Sequence, residues 1–350
     1  MKVPLLARLG AAVADLFPGY FALVMATGII SIACQLLGFP RLARLFLGLN
    51  LIAYPALVLL TITRLLRYPR RVIADLADHT RGSGFFTIVA ATCVLGSQCL
   101  VVAGRRGVAE GLWGAGLILW VIVMYSFFTA VIVKVKKPTL DEGINGAWLI
   151  ATVATQSVAI LAVSLGEPFG WPADTVTFGS IVFFLIGCML YLAIITLIFY
   201  RFTFLAFETA TLTPPYWINM GAVAITTLAG STLLLTRNRS PLVTEIAPFI
   251  KGFTLFFWAA GTWWIPLLIL LGVWRHVWKR HPLTYNPQYW GMVFPLGMYA
   301  AATSRLSEAL PFAPLAAVAR VFLPIALAAW LATGVGLVAS WLRPGRASKS

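Results

Sequence analysis

Neutral hydroxyl and amide groups supply most of the polarity inside the apolar stretches of this chain. They are Thr27, Ser31, Thr92, Ser97, Gln98, Thr152, Thr155, Gln156, Asn219, Thr226 and Thr227. Such groups can replace part of an anion's hydration shell without holding it tightly, as conduction requires. They can equally bond one helix to another. Ionisable groups deep in apolar spans mark proton relays, ion sites or catalysis, and here they are scarce. Glu110, Asp174, Glu245 and Glu308 fall at span ends, and Glu208 falls in a loop. No HExxH, GxSxG or phosphate-loop motif occurs. Cys34, Cys93, Cys99 and Cys188 lie within spans and form no CxxC pair, and His79, His276 and His281 lie in or beside loops. No cofactor or metal is expected, and an enzyme has little to work with. Arg305 is the sharpest charged candidate. It either draws anions to a mouth or snorkels and pairs with Glu308 three residues on. Lys251 and Arg320 are further candidates of that kind.

The elements that carry these groups are apolar runs. Of the 350 residues, 60% are hydrophobic and 11% charged, with a mean hydropathy of +0.91. Ten runs long enough to cross a bilayer cover 17–38, 41–66, 82–104, 107–133, 144–166, 174–204, 214–236, 247–276, 285–309 and 314–342. Lipid cannot satisfy open backbone groups, so each run should be a helix. The expectation is an all-α integral membrane protein with ten transmembrane helices over residues 17–342. Residues 1–16 form an N-terminal segment and 343–350 a C-terminal tail, both cytoplasmic. The first run is too long for a signal peptide and reads as a retained span. Most of the 26 lysines and arginines fall on one side if the N-terminus is inside, which places both termini in the cytoplasm of a cell membrane. The net charge of +15 is spread through the loops as insertion signals, so no nucleic-acid partner is expected.

Three odd-numbered runs begin alike: PGYFALVMATG from Pro18, PPYWINMGAVA from Pro214 and PQYWGMVFPLG from Pro287. With the aromatic as anchor, the series becomes Phe21, Phe86, Trp148, Trp217 and Trp290, each about one helical hairpin from the next. The chain therefore reads as five hairpins in parallel repeat. Four residues past each anchor stand Met25, Ala90, Thr152, Gly221 and Phe294. Seven past stand Gly28, Cys93, Thr155, Ala224 and Gly297. These faces are mostly small, which suits either close helix packing or five walls around a central path. On the second reading Phe294 is the largest side chain at its level and a narrow gate. Pro295 and Gly297 would then break the helix and aim Phe294 into the path.

The motifs PGYFALVMATGIIS, PPYWINMGA and YNPQYWGMVFPLGMYAAAT resemble the tellurite-resistance/dicarboxylate transporter family. That family includes fungal malate permeases, sulfite-efflux pumps and plant slow anion channels. The resemblance covers essentially the whole chain. It implies a quasi-five-fold arrangement of hairpins around a central pore, with odd spans inside. It also implies a gate phenylalanine at Phe294, a homotrimer, and substrates among chloride, nitrate, sulfite, malate and tellurite-related anions. The first expectation is therefore an anion channel or facilitator in the lipid bilayer. The rivals are a proton-coupled dicarboxylate or sulfite exporter and, from another class, a membrane enzyme or scaffold.

Overall fold

The computed structural model describes Gly10 and residues 12–342. Lys2, Arg8, Arg343, Arg346 and Lys349, which enter the orientation argument, lie outside the described residues, as do most of the N-terminal segment and the whole C-terminal tail. No strand occurs among the described residues. The long helices are α1 Ala22–Leu36, α2 Pro40–Arg67, α3 Phe86–Ala103, α4 Arg106–Val133, α5 Ile150–Leu165, α6 Ala173–Phe204, α7 Ile218–Leu235, α8 Pro241–Val273, α9 Trp290–Ala309 and α10 Pro314–Leu342.

Odd and even helices differ in length for a physical reason. The even ones have 28 to 33 residues and exceed the roughly 20 that a bilayer core demands. Helix α1 has only 15, about 22 Å of rise. It is extended by the tight turn Pro18–Phe21, which at about 2 Å per residue brings it to roughly 30 Å. Similar turns precede the other odd helices: Gly82–Phe85, Gly146–Leu149, Pro214–Trp217 and Pro287–Tyr289. A proline in the first turn is tolerated because its missing N–H would have had no partner there. The short helices Pro69–Leu76 and Leu140–Gly143 lie in loops that the hydropathy pattern leaves blank.

Nine helices among the described residues are long and apolar enough to cross a membrane. Helix α9 is the exception. It carries Ser304, Arg305, Ser307 and Glu308 in its last turns, and 15 of its 20 residues are buried. A helix walled off from lipid by its neighbours needs no apolar coat. The same logic separates the rest. Between 67% and 89% of the apolar window is buried in α1, α3, α5 and α7, against 17–39% in the even helices. The contacts among the odd helices close on themselves: α1 packs on α3, α3 on α5, α5 on α7, α7 on α9, and α9 on α1.

Five aromatic donors tie the even helices to this inner group. Tyr54 of α2 shares a hydrogen bond with Thr92 of α3 at 2.9 Å. Trp120 of α4 donates to Thr155 of α5 at 2.8 Å. The Tyr191 hydroxyl of α6 donates to the Asn219 carbonyl of α7 at 3.3 Å. Trp258 of α8 donates to Thr303 of α9 at 3.1 Å. Trp330 of α10 donates back to Thr27 of α1 at 3.0 Å. Each even helix thus reaches past its preceding odd helix to the next one, and the last reaches the first. A double-mutant cycle on Trp120→Phe and Thr155→Val should give a coupling near the membrane average of about 0.6 kcal/mol. Unfolding in mixed micelles measures it, and zero coupling would show the bond to be idle.

Candidate functional site

Two cavities open at opposite ends of the five inner helices. The larger, about 770 Å³, lies at their N-terminal ends. Every lead-in turn contributes to its wall, through Gly19, Gly84, Ala147, Pro215 and Gln288, and so does the residue three further on: Ala22, Thr87, Ile150, Ile218 and Gly291. The smaller, about 60 Å³, takes Ile29, Val94, Ser157, Ile225 and Met298 from the same helices. These stand seven residues beyond the previous set, two helical turns along one face. Further on come Ile32, Ser97, Ile160 and Leu228, and at the end Arg305.

These linings set the register of the repeat. They agree with the anchors Phe21, Phe86, Trp217 and Trp290, but in α5 they point to Leu149 rather than Trp148. Trp148 turns away and donates to the carbonyls of His79 and Gly143 at 2.8 and 3.0 Å. The residue level with Phe294 in α5 is therefore Val153, and Thr152 lies one place off. Met25, Ala90, Val153 and Gly221 all sit buried with Phe294. Between the two linings, each helix passes through this layer, and neither cavity touches it.

The second expected layer lies on a different face. Gly28 is pressed against Val94, Asn50 and Gln98. Cys93 faces Gly116 of α4, and Thr155 is engaged by Trp120. Gly297 meets Ile29 and Ile30 of α1, and Ala224 is buried outside both linings. The cause is angular. Most of these positions precede a lining residue by one, and one residue is about 100° of helix rotation.

Helix α9 shows why Phe294 keeps to the lining face. At about 100° per residue, it falls within roughly 60°, 40° and 20° of Gly291, Met298 and Arg305. Its flanks are fixed on both sides. A Cβ on Gly221 would stand 2.6 Å from Pro295 Cγ, so the proline packs onto α7. A Cβ on Gly297 would stand 3.0 Å from Ile29 and Ile30, so that glycine admits α1. The expected break at Pro295 is absent, because the helix runs through it from Trp290 to Ala309. Proline forfeits only the bond to the Gly291 carbonyl, close to the start of the helix, and its ring fills the notch at Gly221.

Electrostatics differ between the two ends. The smaller cavity carries Arg305 with Ser97, Ser157, Ser164 and Thr232. Arg305 lines this cavity and pairs with Glu308 at 2.6 Å. Ser157, Ser164 and Thr232 donate to carbonyls of their own helices, and a hydroxyl can rotate its proton away from such a bond. The serines of α5 and Thr232 lie outside the positions that the sequence pattern singles out. The larger cavity holds Arg81, Arg201, Asp141, Glu142 and Glu208. There the Thr139 side chain, the backbone and the charge of Arg201 hold the Asp141 carboxyl below its ordinary value. Lys251 and Arg320 line neither cavity. No group of His, Cys, Asp and Glu fit for a metal occurs among the described residues.

A family model described as SLAC1, voltage-dependent anion channel, matches residues 15–338. The chain belongs to this family. The expectation drawn from the Pro18, Pro214 and Pro287 motifs is thereby borne out. A membrane protein of Mycobacterium tuberculosis is 37% identical over 45% of this chain and 82% of its own length. A transporter of Methanocaldococcus jannaschii is 28% identical over 81% of this chain and 82% of its own. A sulfite efflux pump of Arthroderma otae is 23% identical over 85% of this chain and 83% of its own. The family is one of membrane channels and transporters, and small anions are what it supports as substrates.

Gly221 offers a direct test of the packing around Phe294. Gly221→Ala forces a methyl into the rigid Pro295 ring and should cost about 1–3 kcal/mol. Unfolding of the purified variant measures it, and wild-type stability would mean that α7 and α9 are not in this contact.

Proposed function

We propose that the chain conducts small anions along the axis of its inner helices, down their electrochemical gradient, with Phe294 as the gate. One observation carries this reading. Cavities at opposite ends share one face of the same five helices, and the layer between them holds buried Phe294 level with Met25, Ala90, Val153 and Gly221. A narrow apolar constriction stops ions by blocking or dewetting. We take the ten helices as ten spans, arranged as five hairpins in quasi-five-fold order around that path. The closed contacts of the odd helices and the forward-reaching aromatic bonds support this arrangement. Basic residues of the described loops favour an N-terminus inside, which makes the larger cavity cytoplasmic and puts Arg305 at the outer mouth. The homotrimer rests on family membership, and native mass spectrometry counts its subunits.

Planar-bilayer recordings test the gate. Phe294→Ala should raise anion current by about tenfold or more, because removing the ring opens the constriction. Unchanged current through folded protein would sink the gate while leaving anion transport standing.

The three carboxylates in the larger cavity favour a second reading, a proton-coupled exporter of dicarboxylate, sulfite or a tellurite-related anion. It requires flux that follows a pH gradient at zero membrane potential in proteoliposomes. Flux set by voltage and anion gradient alone would leave the channel reading in place.

A further inference from the structure

Arg201 ends α6 in an unusual position. Its side chain is only 5% exposed, yet it forms part of the wall of the larger cavity. Nη1 donates to the Ile144 carbonyl and, at 2.5 Å, to the Tyr216 hydroxyl. The rings of Phe207 and Tyr216 stand 5.7 and 5.9 Å from the guanidinium carbon. Nε is buried and has no hydrogen-bond partner among the described residues. No carboxylate forms an ion pair with Arg201 there, although Asp141, Glu142 and Glu208 line the same cavity.

Arg64 shows the contrast. It is equally buried, at 4%, but it pairs with Asp75 at 2.6 Å. A buried cation is tolerated when an opposite charge meets it. Asp141 feels the charge of Arg201, but no carboxylate among the described residues comes within ion-pair distance of the guanidinium. Its surroundings favour a negative guest. All five lead-in turns of the inner helices border this cavity, and helix N-termini present positive dipole ends with free N–H groups. Tyr216 and Ile144 hold Nη1, no bond from the described residues reaches Nη2, and Nε beside it is covered, so a guest from the cavity meets Nη2 first and takes the Nε–Nη2 edge by displacing that cover. That edge offers two parallel donors.

We propose that Arg201 is the recognition group of an anion site in the larger cavity. Its Nε–Nη2 edge takes two oxygens of a carboxylate or a sulfite-type oxyanion in preference to a halide. Bidentate pairing of this kind needs the planar fork. A lysine keeps the charge but acts as a point donor. The proposal rests on the anion-transport reading and adds to it a means of selection.

The test uses the full-length protein as wild type, Arg201→Lys and Arg201→Gln. Bi-ionic reversal potentials give the formate-to-chloride permeability ratio. Thermal unfolding in formate, sulfite or chloride reports binding without transport. In Arg201→Lys the ratio should fall by about fivefold or more while chloride current persists, because the fork is lost and the charge is kept. Formate and sulfite should raise the melting temperature of wild type above that in chloride, and the lysine variant should lose this difference. An unchanged ratio together with an unchanged melting difference in Arg201→Lys overturns the proposal. If Arg201→Gln does not fold, the lysine variant decides alone. If wild type passes no anion but still shows the oxyanion-specific stabilisation, absent in Arg201→Lys, the site stands and the transport reading fails.

Discussion

Everything in this fold follows from keeping five short helices away from lipid. Helices α1, α3, α5, α7 and α9 are shorter than the even ones and richer in hydroxyls, amides and small residues, and their neighbours bury most of their surface. They are tolerated because longer, more apolar helices surround them. Aromatic donors fix the two groups to each other. Each of the donors Tyr54, Trp120, Tyr191, Trp258 and Trp330 ends in a polar atom that needs a partner once buried, and each finds it on an inner helix. Thr27, Thr92 and Thr155 hold equivalent places in their helices. The bonds thus impose a common rotation on α1, α3 and α5, and that rotation decides which residues face the two cavities.

The sequence made much of this legible. Helices as apolar runs, the grouping of odd spans and the anchors of α1, α3, α7 and α9 could all be read from composition and spacing. Phe294 stood out because it neighbours a proline in a motif that recurs at Pro18 and Pro214. The failures were angular. Trp148 is the conspicuous aromatic at the start of α5, yet Leu149 holds the equivalent place. A one-residue slip turns a helix by about 100° and swaps Val153 for Thr152. The same arithmetic moves Cys93 and Thr155 from the lining to the interface with α4.

Arg201 was illegible for another reason. At the end of an apolar run an arginine reads as an insertion signal, and most such arginines are only that. What distinguishes it is the loop after α6, which folds Phe207 and Tyr216 over the guanidinium. No periodicity encodes that closure. Pro295 is a milder case. A proline in a span suggests a break, but its effect depends on what stands opposite, and here Gly221 leaves room for the ring.

The bond between Trp330 and Thr27 joins residues 303 positions apart. During synthesis the first helix must therefore wait for the last before its hydroxyl meets its partner. Until then, α1 has an unfinished side toward the place that α9 and α10 will occupy. Helix α9, the least apolar of the ten, has the weakest claim to enter the bilayer alone. The natural order of assembly is that α9 and α10 arrive together as the closing wedge, and the inner wall is complete only once both are in place.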